Sequence, residues 1–218
     1  MIAKGCIFDF DGVVMDSEKY HHLAWEDLAH EIGVEFTYEE YLPFKSAGRQ
    51  VVIPYLLNKA GIAVTDQLYK KYSDLREEKI QRTLLNLNEK DITPGLVNFL
   101  HLLHEKGIKC AVASSSAAAH VTAQRFGLFN LFDAFVDGTQ HLPNKPQPHL
   151  FLHAAQLLNL APSQCVVFED SINGLTAAKN AKMRCVGIQT YFCNLADRII
   201  DDFTQANIDT ITFEEENL

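Results

Sequence analysis

Apolar residues follow two rhythms along this chain. Short, nearly continuous runs recur at Cys6-Ile7-Phe8, Cys110-Ala111-Val112-Ala113, Ala134-Phe135-Val136, Cys165-Val166-Val167-Phe168 and Cys185-Val186-Gly187-Ile188. Runs of this length without polar alternation are expected of parallel strands covered on both faces. Between them the apolar positions take a helical period. Leu96, Phe99, Leu100 and Leu103 stand at i, i+3, i+4 and i+7, with Thr93 and Pro94 placed to serve as N-cap and first helical residue and Gly107 as the stop. Phe151, Ala154, Ala155 and Leu158 repeat that spacing, and Gly174, Ala177, Ala178 and Ala181 form a stripe of small residues that lets a helix approach a sheet closely. Strand and helix in alternation predict an α/β doubly wound, Rossmann-like parallel sheet.

One stretch departs from the alternation. From about Val14 to Arg82 the pattern is helical only, with stripes at Trp25, Leu28, Ala29 and Ile32 and at Leu68, Tyr72 and Leu75. A single crossover helix needs far fewer residues, so a helical insert (a cap) is expected after the first strand. The expected division is a core of residues 1–14 and 83–218 and a cap of residues 15–82.

Composition narrows the function. The chain has 218 residues, 47% hydrophobic and 22% charged, which is ordinary globular usage. Nineteen basic against 28 acidic residues give a net charge of −9, which argues against a general role on nucleic acid or on a membrane surface. No apolar run reaches the roughly 20 residues of a membrane span. The start, Met1-Ile2-Ala3-Lys4, lacks the apolar core of a secretory signal. The five cysteines (Cys6, Cys110, Cys165, Cys185 and Cys193) include no Cys-x-x-Cys and read as small buried thiols. A cytoplasmic monomer is expected.

Four places carry chemistry. Phe8-Asp9-Phe10-Asp11-Gly12 leads a buried strand directly into two carboxylates, at the carboxyl end where open α/β sheets bind ligands. Asp9 and Asp11 share a side until Gly12 permits a sharp turn; an Asx turn closing the strand is the plainer alternative. Val166-Val167-Phe168-Glu169-Asp170-Ser171 repeats the arrangement, with Asp170 as a plain helix N-cap for its alternative. Converging carboxylates repel by about 4 kcal/mol per close pair at an effective dielectric near 20. They favour a hard cation, and all-oxygen ligands favour Mg²⁺. Ser114-Ser115-Ser116 follows the second predicted strand and can either bind an anion or simply cap a helix. Asn144-Lys145-Pro146-Gln147-Pro148 stiffens a loop and fixes where one ammonium points.

Asp-x-Asp-Gly at a strand end, a serine after the second strand, Lys-Pro-x-Pro, and Glu-Asp-Ser after a later strand, in that order over nearly the whole chain, resemble the haloacid dehalogenase superfamily. Within it the sequence looks most like the β-phosphoglucomutase-like sugar-phosphate branch, as does the stretch from Asp16 to Trp25 with its His-x-x-Ala-Trp pattern, His21-His22-Leu23-Ala24-Trp25, at the start of the insert. The resemblance implies a small phosphorylated metabolite as substrate, Mg²⁺ as cofactor and an aspartyl-phosphate intermediate. It implies Asp9 as nucleophile, Asp11 as general acid and base, and Ser114 and Lys145 as partners of the transferring phosphoryl group. Asp9, the backbone carbonyl of Asp11, and Asp170 would hold Mg²⁺, with Glu169 as a further ligand or supporting acid. Substrate contacts are implied at Gly12, His21, Trp25, Arg49, Arg76, Ser115 and Ser116.

The chain departs from the mutase pattern in places. It has Ser46-Ala47-Gly48-Arg49 where mutases carry Gly-x-Ser-Arg, His149 after Lys-Pro-x-Pro where an acidic residue is usual, and Ala117-Ala118-Ala119 where mutases place polar residues for a second phosphate. A polar contact to a phosphate dianion is worth about 1.5–3 kcal/mol, so its loss favours net hydrolysis. A phosphatase is therefore expected, with β-phosphoglucomutase as the alternative. Dehalogenation by Asp9 would leave Asp11, Glu169 and Asp170 surplus, and a silent binding module would leave all four motifs without use. The histidine pairs His101/His104 and His149/His153 lack the further ligands of a metal site, and Glu214-Glu215-Glu216 reads as a solvated end.

Overall fold

The computed structural model describes residues 1–45, 47–190 and 194–214. Ser46, Cys193 and residues 215–218, and with them the expectations for the Ser46 departure, the fifth thiol and most of the acidic end, lie outside the described residues. The elements run β1 (Gly5–Phe8), α1 (Glu18–Ile32), α2 (Tyr38–Tyr41), α3 (Arg49–Lys59), α4 (Asp66–Leu84), α5 (Leu96–Glu105), β2 (Lys109–Ala113), α6 (Ala119–Arg125), β3 (Ala134–Val136), α7 (His149–Leu157), β4 (Cys165–Glu169), α8 (Ile172–Asn180), β5 (Arg184–Ile188) and β6 (Arg198–Ile200). All five strands expected from the apolar runs are present. The sixth, Arg-Ile-Ile, was not legible because two of its three residues are exposed.

The chain divides into two compact units, residues 1–16 with 89–218 and residues 17–88. The expected edge at 82/83 falls inside α4, whose backbone hydrogen bonds carry the helix to Leu84.

In the first unit the six strands are all parallel, in the order β3-β2-β1-β4-β5-β6. This is an α/β doubly wound sheet. One face packs Ile7, Ala111, Val167 and Cys185 against α7 and α8 through Phe151, Ala154, Leu175 and Ala178. The other is aromatic. Phe8 and Phe168 stand opposite each other in register and stack at 4.8 Å, with Phe99 and Phe203 closing over them. Such ring pairs add about 0.5–1.5 kcal/mol each beyond burial. The four described cysteines are buried free thiols.

Helix α5 corrects a detail. Its N-cap is Gly95, at φ 80°, and not Thr93. A Cβ on Gly95 would lie 2.4 Å from the Phe203–Thr204 backbone, so the close approach of that chain sets the helix start two residues late.

The second unit is a helical cluster. Trp25, Leu28 and Ala29 of α1 pack with Val52, Ile53 and Leu56 of α3, Tyr72 of α4, and Phe36. Gly33 ends α1 in the left-handed conformation, φ 92°, and Thr65 caps α4 by accepting from the Leu68 amide at 3.2 Å.

Candidate active site

The strand order reverses direction between β1 and β4, the position at which an open parallel sheet leaves a crevice at its carboxyl edge. The sequence puts carboxylates on both sides of it. Asp9 follows β1, its amide extending the ladder by one bond to the Phe168 carbonyl at 3.0 Å, and Glu169 ends β4. Beyond Asp9 the chain folds back at once. The Phe10 carbonyl accepts from the Val14 and Met15 amides at 2.9 and 3.0 Å, and the Gly12 amide donates to Met15 at 2.7 Å. Gly12 is needed twice over. Its φ is 88°, and a Cβ there would lie 2.3 Å from Asp170 Oδ2. The turn is therefore built against Asp170, and Asp11, half-buried, stands inside it.

Lys145 comes from the loop before α7. Its ammonium donates to Asp9 Oδ1 at 2.5 Å and to Glu169 Oε1 at 2.8 Å, and sits 4.9 Å from the Phe151 ring centroid. The Lys145–Pro146 peptide is cis, and Asn180 at the end of α8 donates to the Pro146 carbonyl at 3.0 Å. Asp9, Lys145, Glu169, Asp170 and Ser114 are each at most 5% exposed. The other oxygen of Glu169, Oε2, accepts from the Ser171 amide at 2.7 Å and its hydroxyl at 3.0 Å. Ser171 also caps α8, accepting from the Gly174 amide at 3.1 Å. The cap is thus Ser171, and the reading of Asp170 as a mere N-cap falls.

Burial pushes the Asp9 carboxyl well above the usual range. Lys145 opposes this, while Glu169, Asp170 and Asp11 add to it. Burial works against the charge on Lys145 too, but Asp9 and Glu169 outweigh it and hold the ammonium above its ordinary pKa. Oxygens of Asp9, Glu169 and Asp170 all lie within 4.8 Å of one another. Three carboxylates stand against one ammonium in a buried space, so the acidic groups outnumber the cation. A divalent cation would offset that acidic surplus, and an all-oxygen donor set matches Mg²⁺ in kind.

Sheet register brings Ser114 to the same edge, since Val112 pairs with Phe8 and Ser114 stands two residues further on. Its hydroxyl accepts from the Ser116 amide at 3.0 Å and that of Ser116 from the Ala118 amide at 3.3 Å, while Ser115 Oγ is buried with no hydrogen-bond partner among the described residues. Helix α6 starts after Ala118 without a side-chain cap, so none of the three serines caps it as its N-cap residue.

The remaining expected contact residues belong to the helical unit. Arg76 is buried, its guanidinium 4.4 Å from the Trp25 ring centroid and its Nη2 3.4 Å from His21 Nδ1. Arg49 is exposed and pairs with Glu77 at 3.4 Å. Sequence reasoning missed Ser171, Asn180 and Phe151 as supports of the site. Ser171 had a legible signal, a serine directly before a helical run. Asn180 had none, since its partner lies 34 residues away.

A family model for the haloacid dehalogenase-like hydrolases matches residues 3–182. The chain is 34% identical over 188 residues to a β-phosphoglucomutase of Bacillus subtilis, covering 85% of this chain and 83% of that one. It is 31% identical over 180 residues to a phosphorylated carbohydrates phosphatase of Thermotoga maritima, covering 82% and 81%. Among solved structures, β-phosphoglucomutase from Clostridium difficile superposes with a TM-score of 0.88 at 27% identity, covering 97% of this chain and 96% of the other. Among the described residues no helix is long and apolar enough to cross a membrane.

Proposed function

Because this chain belongs to the haloacid dehalogenase-like hydrolases, we propose that it is a phosphatase of small sugar phosphates working through an aspartyl-phosphate on Asp9. The observation that carries the reading is the buried Lys145 ammonium held between Asp9 and Glu169, with Asp170 within metal-sharing reach. A structural ion pair would need one carboxylate; two on one ammonium, with a third carboxylate beside them, suit a site built for incoming phosphate charge and a cation.

Asp9 Oδ attacks phosphorus, and the bond from phosphorus to the sugar oxygen breaks as Asp11 gives that oxygen a proton. Water then attacks the phosphorus on Asp9, Asp11 takes its proton, and inorganic phosphate leaves with Asp9 restored. Lys145 offsets phosphate charge as the carboxylate approaches, and Ser114 with its neighbouring hydroxyls and amides orients the phosphoryl oxygens. Asp9, the Asp11 carbonyl and Asp170 would hold Mg²⁺, which when bound supplies further charge neutralisation at the phosphoryl oxygens. His21, Trp25, Arg49 and Arg76 of the helical unit are assigned to substrate selection, with no nucleic-acid or membrane partner, in a cytoplasmic monomer.

The test is a screen of phosphorylated metabolites with Mg²⁺, read as phosphate release and repeated with EDTA. Release that EDTA abolishes and Mg²⁺ restores is expected; no release from any sugar phosphate overturns the reading. The similarity to two β-phosphoglucomutases gives mutase activity as the second reading. β-Glucose 1-phosphate with a trace of bisphosphate primer decides: inorganic phosphate is expected, and glucose 6-phosphate would make the enzyme a mutase.

A further inference from the structure

Gly174 stands at the third position of α8 without a backbone reason to be glycine. It is absent from the glycines with positive φ, and alanine is the better helix former at such a position. Nor is the sheet what it must clear. A Cβ on Gly174 would lie 1.7 Å from Glu169 Oε1, 1.8 Å from Glu169 Cδ and 2.4 Å from Oε2, and these are the three nearest atoms. The space its missing side chain leaves is the space the Glu169 carboxylate fills.

That carboxylate is fully buried and engaged at both ends. Oε1 accepts from Lys145, and Oε2 accepts from the amide and hydroxyl of Ser171. It is also the far end of a flexible side chain, so it is the part that would yield to a Cβ while the helix stayed in place. We infer that Gly174 is a positioning residue for phosphoryl transfer: by carrying no side chain it seats the Glu169 carboxylate, which in turn aims the Lys145 ammonium at Asp9. Glu169 then acts by orienting Lys145. The inference rests on the proposed phosphoryl-transfer reading.

The test is a double-mutant cycle of Gly174→Ala and Glu169→Asp, read with p-nitrophenyl phosphate and Mg²⁺, by thermal melting, and by the amide resonance of Ser171 in protein without substrate or metal. Gly174→Ala is expected to melt below the wild-type temperature, because the displaced carboxylate leaves Lys145 and Ser171 short of a partner, to lose about tenfold or more in kcat, and to shift the Ser171 resonance upfield as its carboxylate acceptor withdraws. Aspartate is one methylene shorter and withdraws from the collision. In the Glu169→Asp background the alanine should therefore change kcat by less than about twofold. Equal losses in both backgrounds, or an alanine variant within about twofold of wild type, overturn the inference. Should Gly174→Ala alone fail to fold, a folded double variant supports the collision and an unfolded one overturns it. If the wild type hydrolyses no phosphomonoester, the phosphoryl-transfer reading fails, and an unmoved Ser171 resonance separately sinks the seating of Glu169.

Discussion

The two units treat charge in opposite ways. In the sheet unit the charged side chains that matter are buried together: Asp9, Glu169 and Asp170 converge at the ends of β1 and β4, and short hydrogen bonds from Lys145 hold Asp9 and Glu169. In the helical unit most cations lie outside, as Arg49 does in its pair with Glu77, and Arg76, buried on the Trp25 ring, is the exception. Buried, mutually dependent charges tolerate little change, because removing one partner leaves another uncompensated. Exposed pairs contribute about 0–1 kcal/mol and can be exchanged freely. On the proposed function, the first setting carries the reaction and the second the substrate contacts, so the contacts can change while the reaction stays.

Asp9→Asn should separate the two units most clearly. Loss of the nucleophile should lower phosphate release by about a thousandfold or more while the protein stays folded; a variant retaining a tenth of the activity would remove Asp9 from the chemistry. Next comes Lys145→Ala. It strips the ammonium that Asp9 and Glu169 share, and should cost about 3–5 kcal/mol of stability, as breaking a buried pair does, with a rate loss of about a hundredfold. Urea melts and kcat measured together test both halves.

The helical unit should answer differently within itself. Arg76→Ala removes a buried cation–ring contact and should cost about 1–3 kcal/mol, or roughly 2–4 °C of melting temperature per kcal/mol for a chain of this size. Arg49→Ala should stay within about 0.5 kcal/mol of wild type and instead shift KM among sugar phosphates. Equal melting shifts would erase the distinction between the two arginines.

A pH-dependent effect is expected at the rim of the sheet unit. Burial would raise the Asp197 carboxyl, but Lys179 at 2.6 Å, the Cys185 amide at 2.7 Å and Arg184 at 3.1 Å outweigh it and hold the group below its ordinary pKa. A carboxyl lowered in the folded state stabilises above its unfolded pKa of about 3.9, and that contribution is lost as pH falls through the lower folded value. Asp197→Asn should therefore melt about 3 °C lower at pH 7, with the gap closing below about pH 4. A gap that persists at low pH would assign the loss to packing.

Chain order alone determined a good deal. Continuous apolar runs ending in Asp9 and Glu169-Asp170 marked both the parallel strands and the edge where the candidate site's carboxylates meet, because a strand buried on both faces leaves polar residues only at its ends. The long helical stretch after β1 likewise marked the second unit. Three features stayed hidden. The exposed residues of β6 gave no apolar run, Arg76 looked like any helix-surface arginine until Trp25 was found beneath it, and Gly174 read as one more small residue in a stripe. Each depends on what stands opposite in space. Periodicity reports which side of an element is buried, and only the packed structure reports which group fills the room a missing side chain leaves, or which ring lies under a charge.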